Sequence, residues 1–332
     1  MTLYASTRAT IVMIRREAWA PARLAAGPRV LLSLVARVLV LAAFLVALPA
    51  SAQRVGTEDG EWRYWGGDEG SSRYTPADQI DRDNVDQLEV QWRWWAANFG
   101  PEVDYIYRGT PIKVGNRLYT VAGQRRSVVS IDPVTGETLW MWRMRDNPRW
   151  QESTRKNYGK GVAWAMVNGR EVIYVITPGY YLAALDAETG IPIADFGEDG
   201  IVDLHRNMGD YPFDPERGIL DSGDITASSP PIVVNGVVVV GNSHDRGYYP
   251  EKKENVPGHV RGYDAATGEM LWRFHVLPRP GEFGHDTWEG DSWTYTGNIS
   301  AWAPLSADSE RGLVFIPTDT PTNDYYGGHR LG

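Results

Sequence analysis

Ser130-Ile131-Asp132-Pro133-Val134-Thr135-Gly136-Glu137-Thr138-Leu139-Trp140 is the stretch whose reading decides the fold. An alternating apolar run enters it, Asp-x-x-Thr-Gly turns it, and a second strand leaves it toward a tryptophan. The Asp side chain accepts backbone N–H groups inside such a turn, and the Gly supplies a positive φ. The pattern returns at Ala184-Leu185-Asp186-Ala187-Glu188-Thr189-Gly190 and at Gly262-Tyr263-Asp264-Ala265-Ala266-Thr267-Gly268, which again leads to Trp272. Each copy predicts a β-hairpin whose returning tryptophan packs against a neighbouring unit.

Further strands are predicted between the turns, over 111–121, 171–177, 231–241 and 312–317. Asn116, Asn168-Gly169 and Asn235-Gly236 mark tight reversals. No sustained helical periodicity competes with them. Small repeated sheets cannot bury both faces alone and must stack, and radial stacking protects their edges. The expected fold is therefore all-β, a propeller rather than a two-sheet sandwich. Long connections are expected over 197–224 and 244–257, where ordered loops of such length usually carry function.

Composition agrees. The 332 residues include 14 Trp, 17 Tyr, 35 Gly and 21 Pro, a mixture suited to short strands and many turns. The net charge of -9 with no long basic tract argues against a nucleic-acid partner. Cysteine is absent, which excludes disulfides, thiolate metal sites and cysteine nucleophiles. The six histidines show no i, i+4 ligand spacing, so no zinc site is expected. No Gly-rich loop opens a helix, which disfavours a nicotinamide site.

Residues 1–52 read as an address. Arg15, Arg16, Arg23 and Arg29 precede the apolar run 29–48, and Ala50-Ser51-Ala52 follows as a signal-peptidase pattern. Export to the periplasm with cleavage after Ala52 is expected; the alternative is an uncleaved inner-membrane anchor, in which Arg37 would be costly in lipid. Residues 53–332 form the body.

The ordered series of motifs in that body resembles the quinoprotein dehydrogenases, whose propeller holds pyrroloquinoline quinone. Trp65-Gly66-Gly67-Asp68, Arg73-Tyr74-Thr75-Pro76 and Asn84-Val85 with Leu88 resemble that family's opening segment. Thr110-Pro111-Ile112, Ser229-Pro230-Pro231-Ile232 and Val260-Arg261-Gly262-Tyr263-Asp264 resemble its strand segments. Ala301-Trp302-Ala303-Pro304 and Gly327-Gly328-His329-Arg330 are similar to the membrane-type glucose dehydrogenase branch in particular.

The resemblance implies an eight-bladed β-propeller with the quinone and a divalent cation near its axis. At roughly 50 residues per blade, this chain would hold four to five blades. It also implies a catalytic Asp in a His-x-x-Trp-Asp segment following Gly-Gly-His-Arg. No such segment stands before Gly332, so the chain is expected to be an N-terminal part, inactive by itself.

For cofactor binding, the resemblance implies Trp302 as the aromatic floor and Lys160 as the partner of a quinone carboxylate. Ser228 and Ser243 are implied as hydroxyl donors, and Arg108 as a second cation. Trp302 could instead be a blade-interface tryptophan, and Lys160 a solvated loop lysine. For the cation, calcium or magnesium, the implied ligands are Asp245, Asn242 and Asp319, since carboxylate and amide oxygens suit hard ions; Asp245 could instead pair with Arg246 at the surface. Trp288–Trp293 is expected to pack at the cofactor mouth. The implied activity is oxidation of a sugar or alcohol, with electrons passed to a membrane quinone or a cytochrome. The rival reading is a cofactor-free propeller used as an assembly scaffold in the cell envelope.

Overall fold

The structure, a computed structural model, describes residues 56–99, 107–153, 156, 159–206, 208, 225–244 and 253–332. The address segment lies outside these residues, as do Asp245 and most of the two long connections. No helix among the described residues is long and apolar enough to cross a membrane.

Three four-stranded antiparallel sheets form the body. The first contains β1 (Ile112–Val114), β2 (Arg117–Ala122), β3 (Ser127–Ile131) and β4 (Thr138–Trp142). The second contains β5 (Ala163–Val167), β6 (Arg170–Ile176), β7 (Tyr181–Asp186) and β8 (Ile201–Asp203). In the third, β10 (Ile232–Val234), β11 (Val237–Val240), β13 (Val260–Asp264) and β14 (Met270–Phe274) pair in that order. A short ladder joins β9 (Ile225–Thr226) to β12 (Ser243–His244), and a ribbon joins β15 (Ser306–Asp308) to β16 (Leu313–Phe315).

Strand alternation dictates the stacking. On β6, Ile173 and Val175 pack with Tyr119, Val121 and Val128 of the first sheet. Their neighbours Val172, Tyr174 and Ile176 pack with Val233, Val238 and Val240 of the third. On β10, Ile232 and Val234 turn the other way, onto Ala307 and Leu305 beside the ribbon. The middle sheet is thus apolar on both faces, which is why its strands read as continuous Val, Ile, Leu and Ala. Fully burying a Val, Ile or Leu side chain contributes about 1.5–3 kcal/mol.

The three Asp-x-x-Thr-Gly turns share one geometry. Asp132 Oδ1 accepts from the N–H of Val134 and Thr135 at 2.8 and 2.9 Å, and Asp264 Oδ1 from Ala266 and Thr267 at 2.9 and 2.8 Å. These bonds hold both carboxyls below the usual carboxylate range. Gly136, Gly190 and Gly268 close the turns at φ of 73°, 72° and 74°.

One residue past each turn Asp, a carbonyl receives an aromatic group from the preceding layer. Trp92 Nε1 donates to Pro133 O at 3.1 Å, Trp140 Nε1 to Ala187 O at 3.1 Å and Tyr174 Oη to Ala265 O at 2.5 Å. Trp92 also lies over Gly136, and Trp140 over Gly190.

Trp272 departs from this expectation. It folds over Gly262 of its own sheet and is 37% exposed. On Gly268, the position that Trp140 takes on Gly190 is filled by Val202. Val202 comes from the segment expected to be loop, where 201–203 instead pairs with β7 as β8. One short helix, α1 (Pro148–Glu152), was not legible in the periodicity. Asn147 caps it by accepting from Trp150 N at 2.9 Å, and Pro148 suits its first turn.

Candidate functional site

The strongest convergence lies where the second sheet begins. Lys160, three residues before β5, is only 5% exposed. Its N–H donates to Ser228 O at 3.0 Å, and its carbonyl accepts from Thr110 N at 2.9 Å. The chain is therefore fixed on both sides of the side chain. The ammonium donates to Ser229 Oγ at 3.0 Å and to Trp302 O at 2.9 Å. It also stands 4.8 Å from the centroid of the Trp302 ring, a cation–π distance. Ser229 Oγ donates to the same carbonyl at 2.6 Å.

Lys160, Ser228 and Trp302 are thereby brought together from three separate parts of the chain. Trp302 has an open face, with the residue 43% exposed while Ala301 before it is buried. Close packing explains the fixed backbone: a Cβ on Gly241 would come within 2.3 Å of Ala301 O. Lys160 is buried and engaged rather than a solvated loop lysine.

Asn242, Ser243 and His244 follow Gly241 and are all buried. Asn242 Nδ2 donates to His259 O at 3.0 Å. Asn242 Oδ1, Ser243 Oγ and His244 Nε2 have no hydrogen-bond partner among the described residues. Three consecutive buried residues with unsatisfied polar atoms are costly unless water or a ligand completes them. Burial is the main cause that pushes the His244 ring down to about 4, so the ring is neutral near neutral pH.

Arg108 is exposed, two residues before the Thr110 that binds Lys160 O. Asp319 is half-buried; its N–H donates to Ser300 O at 2.9 Å, and its Oδ1 accepts from Thr320 N at 2.8 Å. Burial first and the charge of Asp319 second raise the carboxyl of the nearby Asp324 above its ordinary range. Among the described residues no group of three or more His, Asp or Glu converges to hold a metal ion.

Trp288–Trp293 packs on the chain's last residues: Glu289 N donates to Leu331 O at 2.9 Å and Ser292 Oγ to the same carbonyl at 2.7 Å. Two residues at the site escaped the sequence reading. Ser229 is one of a Ser pair in which the family resemblance implies the other. Arg126 is buried, donates to Ile176 O at 3.0 Å and to Ala227 O, and supports the backbone just before Ser228. Its only signal was a second arginine beside Arg125 in the turn between β2 and β3.

The donor set suits a flat, anionic, aromatic ligand: an exposed indole face, an adjacent ammonium and free hydroxyl capacity. Residues 62–332 match the family described as PQQ: Glucose/ethanol/alcohol dehydrogenase, beta-propeller domain. The chain belongs to this family of quinoprotein dehydrogenases. It is 31% identical to the glycerol dehydrogenase large subunit of Gluconobacter oxydans, over 85% of this chain and 37% of that protein. Quinoprotein glucose dehydrogenase A of Acinetobacter calcoaceticus is 29% identical, over 85% of this chain and 36% of its own length. The solved quinohemoprotein alcohol dehydrogenase ADHIIG of Pseudomonas putida HK5 superposes with a TM-score of 0.61 at 28% identity, covering 79% of this chain and 35% of that one. The chain thus spans little more than a third of the curated relatives it matches.

Proposed function

We propose that this chain forms part of the cofactor seat of a periplasmic pyrroloquinoline quinone-dependent dehydrogenase that oxidises a sugar or an alcohol. The observation that carries the reading is the buried Lys160 ammonium held beside the half-open indole of Trp302. In this reading, the indole stacks under the tricyclic ring, and Lys160 supplies the positive charge that a cofactor carboxylate needs. Ser228 and Ser243 offer hydroxyls, the latter unsatisfied by protein among the described residues, and Arg108 offers a second cation at the edge. When bound, the quinone accepts a hydride from the carbinol carbon of the substrate.

The body contributes four to five blades of an eight-bladed ring. Asn242, Asp245 and Asp319 would supply the oxygen donors for a calcium or magnesium ion. The electron acceptor would be a membrane quinone or a cytochrome, and residues 1–52 would direct export.

Titration of the purified chain with pyrroloquinoline quinone, with and without calcium or magnesium, tests this. Saturable quenching of tryptophan fluorescence that is weakened in Trp302→Ala is expected. Absence of saturable binding in both metal conditions overturns the reading.

A further inference from the structure

Residues 56–72 are polar and Gly-rich, yet several of them are among the best-buried in the chain. Thr57, Asp68 and Glu69 are all within 4% of full burial. The segment bonds at both of its ends to strands far apart in sequence. Trp62 exchanges two backbone bonds with Lys113 of β1, at 3.0 and 2.8 Å, and the Glu61 carboxylate accepts from Gly115 N at 3.0 Å. Seven residues after Trp62, Glu69 O accepts from Ala307 N of β15 at 2.7 Å. The Glu69 carboxylate accepts from Ser309 N and Ser309 Oγ at 3.1 and 3.0 Å.

Between these anchors the chain is stiff. Tyr64 and Gly67 exchange backbone bonds at 3.2 and 3.0 Å, and Asp68 holds Ser72 through both its N–H and its hydroxyl. Trp65 and Asp68 line one small cavity with Ala163, Ile232 and Leu305. The segment therefore touches the start of β5, the start of β10 and the approach to β15. Trp65 also faces Gly161, where an added Cβ would meet its ring at 3.7 Å. Gly161 follows Lys160, and β15 begins four residues after Trp302.

We infer that residues 56–72 are a tie across the inner strands, and that Glu69 is a positioning residue for the Lys160–Trp302 pair. Trp62 anchors the tie on the first sheet. Glu69 holds the ribbon that follows Trp302, so the ribbon cannot swing away from Lys160. This rests on the reading of Lys160 and Trp302 as the cofactor seat, but its geometry is testable without cofactor. Buried acceptor atoms suit the task, because a carboxylate receiving two donors from one residue fixes both position and direction.

The test uses the full chain as Glu69→Ala, Glu69→Gln and Ser309→Ala. Acetylation of Lys160 without quinone is followed by mass spectrometry, with Lys253 as the internal reference, and quinone titration is run in parallel. In Glu69→Ala, Lys160 acetylation is expected to rise about tenfold through local opening. Glu69→Gln keeps the accepting oxygen and should stay near the parent. Ser309→Ala removes one of the bonds and should give a smaller rise, and it serves as the test if Glu69→Ala does not fold. Unchanged Lys160 acetylation in the alanine variants, or equal effects of Ala and Gln at position 69, overturns the tie. A parent chain that binds no quinone while Glu69→Ala exposes Lys160 removes the cofactor reading and leaves the tie standing.

Discussion

The ammonium of Lys160 stands 4.8 Å from the centroid of the Trp302 ring and donates to the carbonyl of that same residue at 2.9 Å. One lysine therefore fixes both the backbone and the aromatic plane of a residue 142 positions later in the chain. The pair is built to hold an indole face at a set tilt with positive charge beside it.

Lys160→Met should keep the stem's packing and lose the charge. Ser229 Oγ still serves Trp302 O, so the expected loss of stability is about 1 kcal/mol. Quinone affinity should fall further, by roughly tenfold or more for each 1.4 kcal/mol of lost ionic hydrogen bonding. Urea unfolding and quinone titration of the same variant separate the two effects, and a large stability loss with unchanged affinity would contradict this assignment.

Trp302→Ala and Trp140→Ala should behave in opposite ways. Trp140 covers Gly190 and bonds Ala187 O, so its truncation opens the seam between the first two sheets and should cost about 3 kcal/mol. Trp302 presents an open face, so its truncation should cost less stability and mainly weaken quinone retention. Thermal unfolding with and without quinone checks the contrast.

Gly190→Ala and Gly236→Ala carry similar left-handed φ values, 72° and 77°. At Gly236 an added Cβ meets nothing within 4 Å, whereas at Gly190 it would come within 2.5 Å of the Trp140 ring. The first kind of change costs about 1 kcal/mol from φ alone. Gly190→Ala adds overpacking of about 1–3 kcal/mol. Equal denaturation midpoints for the two variants would mean that Trp140 does not rest on Gly190.

Acid should destabilise the fold before the carboxylates titrate. Burial pushes His244 down to about 4 and His259 to about 2, both below the ordinary value of 6.5. Below about pH 6.5 the unfolded chain binds protons that the folded rings refuse, so stability present at neutral pH falls as pH drops toward 4. The slope approaches about 1.4 kcal/mol per pH unit for each ring. His244→Gln should flatten the dependence between pH 6.5 and 4 in urea unfolding, and an unaltered slope would show that His244 does not contribute to it.

Asp132, Asp186 and Asp264 were legible as turns, and with them the all-β class, because an Asx turn and a left-handed glycine are local. The pairing is local too: Asn235-Gly236 between two valine runs left β10 and β11 little choice of register. Trp272 shows the boundary of that legibility. It occupies the place in its repeat that Trp140 holds, yet lies over Gly262 of its own sheet, whereas Trp140 reaches Gly190 of the next one.

The site divides the same way. The family resemblance supplied Lys160, Ser228 and Trp302 as candidates. Their meeting depends on separate strands and a carbonyl at 302 that no local pattern announces. Ser229, Arg126 and Glu69 emerged only in three dimensions, because their partners lie 50 to 240 residues away. Hydrogen-bonding capacity is written in the residue type; the direction in which it is spent is set by the packing of the sheets around it.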